Sequence, residues 1–193
     1  MALQVGAHGV TLTYEDYVQL PDDGRRYEII EGVLYVSPAP SMPHQYTVTR
    51  LTSLLDQHVY AGRLGMVLTA PFDTILSSFS VVQPDILYIS RARRHILTEA
   101  NVQGAPDLVI EVISPSSTAT DQTTKRQLYA QYGVPHYWVV HPINRWVRAF
   151  ELRGTDCVHV AEASGDQSFA APPFAELTIP LSQLWADDGD DDA

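Results

Sequence analysis

The chain is poor in cysteine, poor in positive charge and without a long apolar run. A single cysteine, Cys157, stands among its 193 residues. It rules out an intramolecular disulfide and any cysteine-based zinc site, and fits a reducing compartment. The start, MALQVGAHGVTL, has no basic segment followed by a sustained apolar one, so no signal peptide is read there. No apolar stretch approaches the ~18 residues a membrane helix needs, so a cytoplasmic protein is expected, with no membrane partner. Lysine and arginine together number 12 against 23 aspartates and glutamates, a formal net charge of −11. Five of those acids lie in the tail DDGDDDA; discounting them leaves about −6. An acidic body argues against avid, non-specific binding to the phosphates of a nucleic acid. The length suits one domain over residues 1–186, with 187–193 as a disordered acidic tail.

What is present reads as alternating short elements. LTYEDYVQLP predicts a short helix, with Thr13 as N-cap, Asp16 closing a capping box and Pro21 ending it. RRYEIIEGVLYVSPAP predicts two strands joined at Glu31-Gly32. SMPHQYTVTRLTSLLDQHVYAG predicts an amphipathic helix with Val48, Leu51, Leu55 and Val59 inward, Ser41 as cap and Gly62 at its end. Six β-like runs follow: LGMVLTAPFDTIL, SVVQPDILYIS, PDLVIEVIS, HYWVVHP, RWVRAFELR and CVHVAEA. A helix over 117–132 separates the third from the fourth, with Ser116/Ser117 before it and Gly133 and Pro135 after it. The order predicts an α/β (α+β) fold, a mixed sheet flanked by helices.

Two strands carry carboxylates where apolar side chains belong. In PDLVIEVIS, alternation puts Asp107, Val109, Glu111 and Ile113 on one face and Leu108, Ile110 and Val112 on the other. Glu111 therefore interrupts a buried face, at a cost of several kcal/mol unless a cation or hydrogen bonds answer it. Asp85 follows Pro84 at the head of another apolar run. On the helix over 117–132, Lys125, Leu128, Tyr129 and Tyr132 share one face, so the lysine is expected to turn toward the sheet. Two carboxylates form a hard-oxygen site suited to magnesium, or to manganese, and an added ammonium suits phosphodiester hydrolysis. Asp85 and Glu111 are then the metal ligands and Lys125 the electrostatic catalyst.

The same residues resemble a known family. QPDILYIS, PDLVIEVISPSS, DQTTKRQLYAQYGVPHYWVVHP and YEIIEGVLYVSPAPSMPHQ are similar to the Uma-two family of restriction-endonuclease-like proteins, within the PD-(D/E)XK nuclease superfamily, over roughly residues 12–185. Pro84-Asp85 and Glu111 match the superfamily pattern, and Ile113 stands where it has lysine. The resemblance implies that Lys125 on the following helix takes that place. It also implies a restriction-endonuclease-like fold, endonuclease activity on DNA, magnesium as cofactor, and Glu28, Glu31 and His44 as site neighbours. His141 departs from it, since an aspartate is expected before Pro142.

Plainer readings stand beside these. Glu111 and Lys125 form a buried structural ion pair in one of them. Asp85 after proline is also ordinary turn chemistry. Asp107, a further candidate neighbour, lies four residues from Glu111, about 13 Å along a strand, too far to share one ion, and suits hydrogen bonding at the strand entrance. Of Glu28 and Glu31 only one is expected to point inward; Glu31 suits a solvated turn and His44 a cap. Tyr129, Tyr132, Tyr137 and Trp138 read as packing. The cluster RARRH, Arg91 to His95, is either a phosphate contact or a solvated turn. APPFAELTIPLSQLW either serves the interface of a homodimer, the state expected for cutting two strands, or closes the core. Against the nuclease reading stand a non-catalytic nucleic-acid-binding or assembly module of the same fold, and a hydrolase of another phosphodiester.

Overall fold

A computed structural model describes residues 3–5, 11–113 and 120–186. The elements in chain order are β1 (Leu3–Val5), α1 (Tyr14–Tyr17), β2 (Arg26–Ile30), β3 (Val33–Ser37), α2 (Met42–Gly62), β4 (Gly65–Thr69), β5 (Asp73–Ser77), β6 (Ser80–Val82) and β7 (Ile86–Ser90). A 3-10 helix (Arg91–Ile96), β8 (Asn101–Gln103) and β9 (Leu108–Val112) follow, then a π-helical turn (Thr120–Lys125) running into α3 (Arg126–Gln131). The chain continues with β10 (His136–His141), β11 (Trp146–Arg153), β12 (Asp156–Ser164), β13 (Ser168–Ala171) and β14 (Phe174–Pro180). The strands form a sheet ordered β1-β3-β2-β6-β5-β8, a second ordered β12-β11-β10-β9-β7-β4, and a β13-β14 ribbon. This is the mixed α+β arrangement expected. No helix among the described residues is long and apolar enough to cross a membrane.

Local chemistry explains most boundaries. The Thr13 hydroxyl accepts from the Asp16 N–H while the Asp16 carboxylate accepts from the Thr13 N–H at 2.8 Å, so the capping box forms. The β2–β3 turn holds Glu31 at φ 49° and Gly32 at φ 79°, both left-handed, as a two-residue hairpin turn of the primed kind requires. A Cβ on Gly32 would overlap the Thr11 methyl. Ser41 stands at the cap position of α2 but its side chain makes no cap bond, and Pro43 sits in the first turn. The buried stripe His44, Thr47, Leu51, Leu55 and Val59 turns α2 onto the second sheet, with Val48 partly buried beside it.

Two of the β-like runs hold two strands each. LGMVLTAPFDTIL divides at Pro71 into β4 and β5, and SVVQPDILYIS divides at Gln83-Pro84-Asp85 into β6 and β7, the partners lying in different sheets. Proline has no N–H for a ladder, which ends each pairing there. The helix expected over 117–132 is observed as the π-turn and α3. Its Ser116/Ser117 start and the acidic tail 187–193 lie outside the described residues.

Strand β9 divides the core. Leu108, Ile110 and Val112 join the cluster under α2, with Phe169, Phe174 and Trp185; Val109 and Ile113 join a cluster under α3, with Tyr129, Val134 and Tyr137. APPFAELTIPLSQLW closes this core: Ala171, Phe174, Ile179, Leu181, Leu184 and Trp185 are all buried. Its large apolar side chains are thus turned inward.

Candidate active site

The crossing from the first sheet to the second brings the predicted residues together. β7 pairs antiparallel with β9 through Ile86 opposite Ile110, so Asp85 and Glu111 occupy the next facing positions of the two chains. Asp85 Oδ2 accepts from the Val112 N–H at 2.8 Å, which fixes its carboxylate against β9. On the other side, the register β2–β6 sets Ile29 beside Val81 and lays the hairpin over this crossing. Alternation along β2 gives Arg26 and Glu28 the same face, turned to the carboxylates. The π-turn before α3 carries Lys125 in from the third side.

The result is a buried cluster of charge. Asp85, Glu28, Glu111 and Lys125 are each 3% exposed. Lys125, the chain's only lysine, donates from Nζ to Glu28 Oε1 and Glu111 Oε1, both at 3.0 Å. Glu111 Oε1 also accepts from the Tyr129 hydroxyl at 2.6 Å, and Glu28 Oε1 from the Gln83 N–H at 2.8 Å. The Arg26 guanidinium donates from Nη1 to Asp85 Oδ1 at 2.7 Å, and its Nη2, bonded to the Gln83 carbonyl, lies 3.6 Å from Glu28 and 4.0 Å from Glu111 Oε2. His44 Nε2 is 3.2 Å from Asp85 Oδ2. Both Arg26 Nε and His44 Nδ1 are buried without a hydrogen-bond partner among the described residues.

Among the described residues three carboxylates, Glu28, Asp85 and Glu111, meet the Arg26 and Lys125 cations, and the three do not respond alike. Burial raises all three carboxyls. For Asp85 it is overcome by Arg26 first, then by His44 and Lys125, so that group stays ionised far below the usual carboxylate range. For Glu28 it is overcome by Lys125, Arg26 and the Gln83 N–H. Glu111 is acted on by both of those anions. Burial, with Asp85 and Glu28, outweighs Lys125 and Arg26 and pushes its carboxyl up to about 8. Burial, then the Glu111 and Glu28 charges, likewise hold the Tyr129 phenol well above its ordinary value.

Of the residues singled out from sequence, Asp85, Glu111, Lys125, Glu28 and His44 meet here. Glu31 does not: it is exposed and accepts from Ser80 and from the Tyr132 hydroxyl, both at 2.9 Å, tying α3 to the hairpin turn. Asp107 lies at the opposite end of β9, accepting from the Ser90 N–H at 2.8 Å with Arg93 at 3.4 Å, the strand-entrance role. His141 accepts the Asn144 N–H through Nδ1 at 3.2 Å, a turn bond an aspartate would also make. Arg26 and the Tyr129 hydroxyl are the participants that sequence reasoning missed. The spacing of Arg26 and Glu28 on one strand face was the available signal for the arginine.

The donors on offer to a metal are carboxylate oxygens, which suit magnesium or manganese, and such ions are commonly held by one or two carboxylates with water completing the shell. Among the described residues no three His, Cys, Asp or Glu side chains converge as a ready-made metal site. The group lying between Asp85 Oδ1 and Glu111 Oε2 is the Arg26 guanidinium, a cation. Asp85 and Glu111 thus fit a divalent ion on charge and donor chemistry, in competition with Arg26.

The family model for Uma2, described as "Putative restriction endonuclease", matches residues 14–182. Among solved structures, one described as a putative nuclease belonging to DUF820 from Anabaena variabilis is similar in fold, with a TM-score of 0.74 and 21% sequence identity, covering 90% of this chain and 97% of that one. No curated protein matches the chain.

Proposed function

Because the chain belongs to the Uma2 family of putative restriction endonucleases, we propose that it is a metal-dependent nuclease that hydrolyses phosphodiester bonds, with DNA as substrate. The observation that carries this reading is the facing pair Asp85 and Glu111, buried, with Lys125 on Glu111 at 3.0 Å. Asp85 and Glu111 would hold magnesium or manganese, which when bound supplies Lewis-acid activation of the phosphate and acidifies water. Lys125 stabilises the charge that builds on the phosphoryl oxygens, or orients the attacking water. Glu28 holds the lysine from its other side at 3.0 Å, and Tyr129 holds the shared Glu111 oxygen, so the ammonium is preorganised. Asp85 is itself oriented by the Val112 N–H and by His44. Cutting both strands calls for two such sites, so a two-fold dimer is part of the proposal, checked by light scattering on the eluting protein.

The test is incubation with supercoiled plasmid, single-stranded DNA and RNA in magnesium, manganese or EDTA, beside Glu111→Gln, Lys125→Ala and Asp85→Asn. The expected result is metal-dependent cleavage of DNA, reduced by roughly a hundredfold or more in each variant, the scale of losing one transition-state electrostatic contact. Cleavage that survives EDTA, or all three substitutions, would sink the proposal. A second reading, a binding or assembly module of the same fold, is favoured by the pairing of each carboxylate with an internal cation. It requires that calorimetry detect no uptake of either metal.

A further inference from the structure

At the far end of β7 from Asp85, roughly 17 Å along the strand, a cavity of about 520 Å³ opens between the end of α2, the start of β4 and the 3-10 helix. It is lined by three arginines, Arg63, Arg91 and Arg94, by Tyr60, and by apolar side chains including Met66 and Leu97. Its volume falls within the ~300–1,000 Å³ typical of small-molecule sites. In a chain of net charge −11, three guanidinia around one cavity are not background.

The fold aims these groups. Three residues make a turn of a 3-10 helix, so Arg91 and Arg94 stand one above the other and share the cavity side. Arg93 faces elsewhere and is consumed structurally, by the Ala105 carbonyl at 2.7 Å and by Asp107. Arg63 and Arg91 have no ion-pair partner among the described residues, and the only side-chain hydrogen bond Arg94 makes there is to the Met66 sulfur, a weak acceptor. Arg63 is also held at φ 53°, the left-handed conformation that favours glycine, although Gly62 is its immediate neighbour. The chain tolerates strain at the position that brings this guanidinium to the rim. Tyr60 presents its ring to solvent, 83% exposed, beside the same rim.

We propose that this cavity binds a nucleotide unit, its phosphate on Arg63, Arg91 and Arg94 and its base against Tyr60 and the apolar wall. Planar guanidinium forks match phosphate oxygens, and an exposed aromatic ring supplies a stacking face for any base. The nucleotide is either free or one unit of a strand, and the probes separate the two sources.

The experiment is fluorescence anisotropy with a labelled short oligothymidylate and calorimetry with adenosine 5′-monophosphate, both in EDTA, on the whole protein. Binding is expected to weaken roughly tenfold or more in Arg91→Gln/Arg94→Gln, the scale of losing a charge-assisted hydrogen bond. It should stay unchanged in Arg148→Gln, a surface arginine paired with Glu162 on the β11–β12 hairpin. Arg63→Gly is expected to raise the melting temperature, by relieving the left-handed strain, while weakening the same binding; a purely structural residue would not move the two in opposite directions. Binding of the oligonucleotide alone identifies a strand as the source, and binding of the monophosphate identifies the free nucleotide. Absence of binding by both, or affinities indifferent to Arg91 and Arg94, or equally reduced in Arg148→Gln, overturns the proposal.

Discussion

Burial first, and then the Asp85 and Glu28 charges, raise the Glu111 carboxyl in the metal-free protein, against the pull of Lys125 and Arg26. That carboxyl rises from an ordinary 4.5 to about 8, so between those values the folded chain keeps a proton that the unfolded chain releases. Stability from this group is present below the ordinary value and is lost as pH climbs toward 8. Asp85 and Glu28, held low, contribute in the other direction: their stabilisation is present above the ordinary carboxylate value and is lost as pH falls. The melting temperature in EDTA is therefore expected to decline from about pH 5 to pH 8. Glu111→Gln, which mimics the protonated state, should abolish that decline; burial of His136 and His141 works oppositely, so the variant's profile is flat or rising. An unchanged decline in the variant would place the responsible group elsewhere. Arg26 gives a second prediction at this scale. Arg26→Gln removes the partner of Asp85 Oδ1 and, in EDTA, is expected to cost about 3 kcal/mol, the usual scale for breaking a buried pair. Manganese should then raise the melting temperature of the variant more than that of the wild type, because the ion no longer competes with a guanidinium. Equal shifts would mean that Arg26 does not stand in the ion's way.

Among the elements, the β2–β3 hairpin matters most, since it delivers Arg26 and Glu28 together. Its turn depends on Gly32, where positive φ and the nearby Thr11 leave no room for a side chain. Gly32→Ala is expected to destabilise by about 1–3 kcal/mol in chemical denaturation and to weaken metal uptake as the hairpin shifts; a loss below ~0.5 kcal/mol would show the turn to be adaptable. Much of this scale was legible in the sequence. The Thr13 capping box, the strand alternation around Glu111 and the inward face Lys125–Leu128–Tyr129 each follow from spacing along one element, and each is observed. The sheet switches at Pro71 and Pro84 were not legible, because a proline marks the end of a ladder without saying that the next strand joins another sheet. The same limit hid Arg26. Its approach to Asp85 is set by the pairing of Ile29 with Val81, a contact between segments about fifty residues apart in sequence. Short strands such as β8 and β13 carry too few residues for alternation to mark them.

For the molecule as a whole, the distribution of positive charge decides how nucleic acid can be held. The chain has 12 basic residues. Arg26 and Lys125 are committed to the buried cluster, and Arg93, Arg148 and Arg153 are each paired with a carboxylate. The guanidinia around the cavity at the end of β7 are the main concentrated set still directed at solvent. A duplex resting on those three would release few counterions, so the logarithm of its affinity should fall against the logarithm of salt concentration with a slope of only about −2 to −3. Anisotropy titrations of a labelled duplex across a range of sodium chloride concentrations, in EDTA, measure that slope directly. Arg91→Gln/Arg94→Gln should make it shallower by roughly two. A wild-type slope of about −6 or steeper would require a second phosphate-contacting surface. A slope near zero would mean that the duplex is held without phosphate neutralisation, so that the metal site would have to supply the attraction when an ion is added.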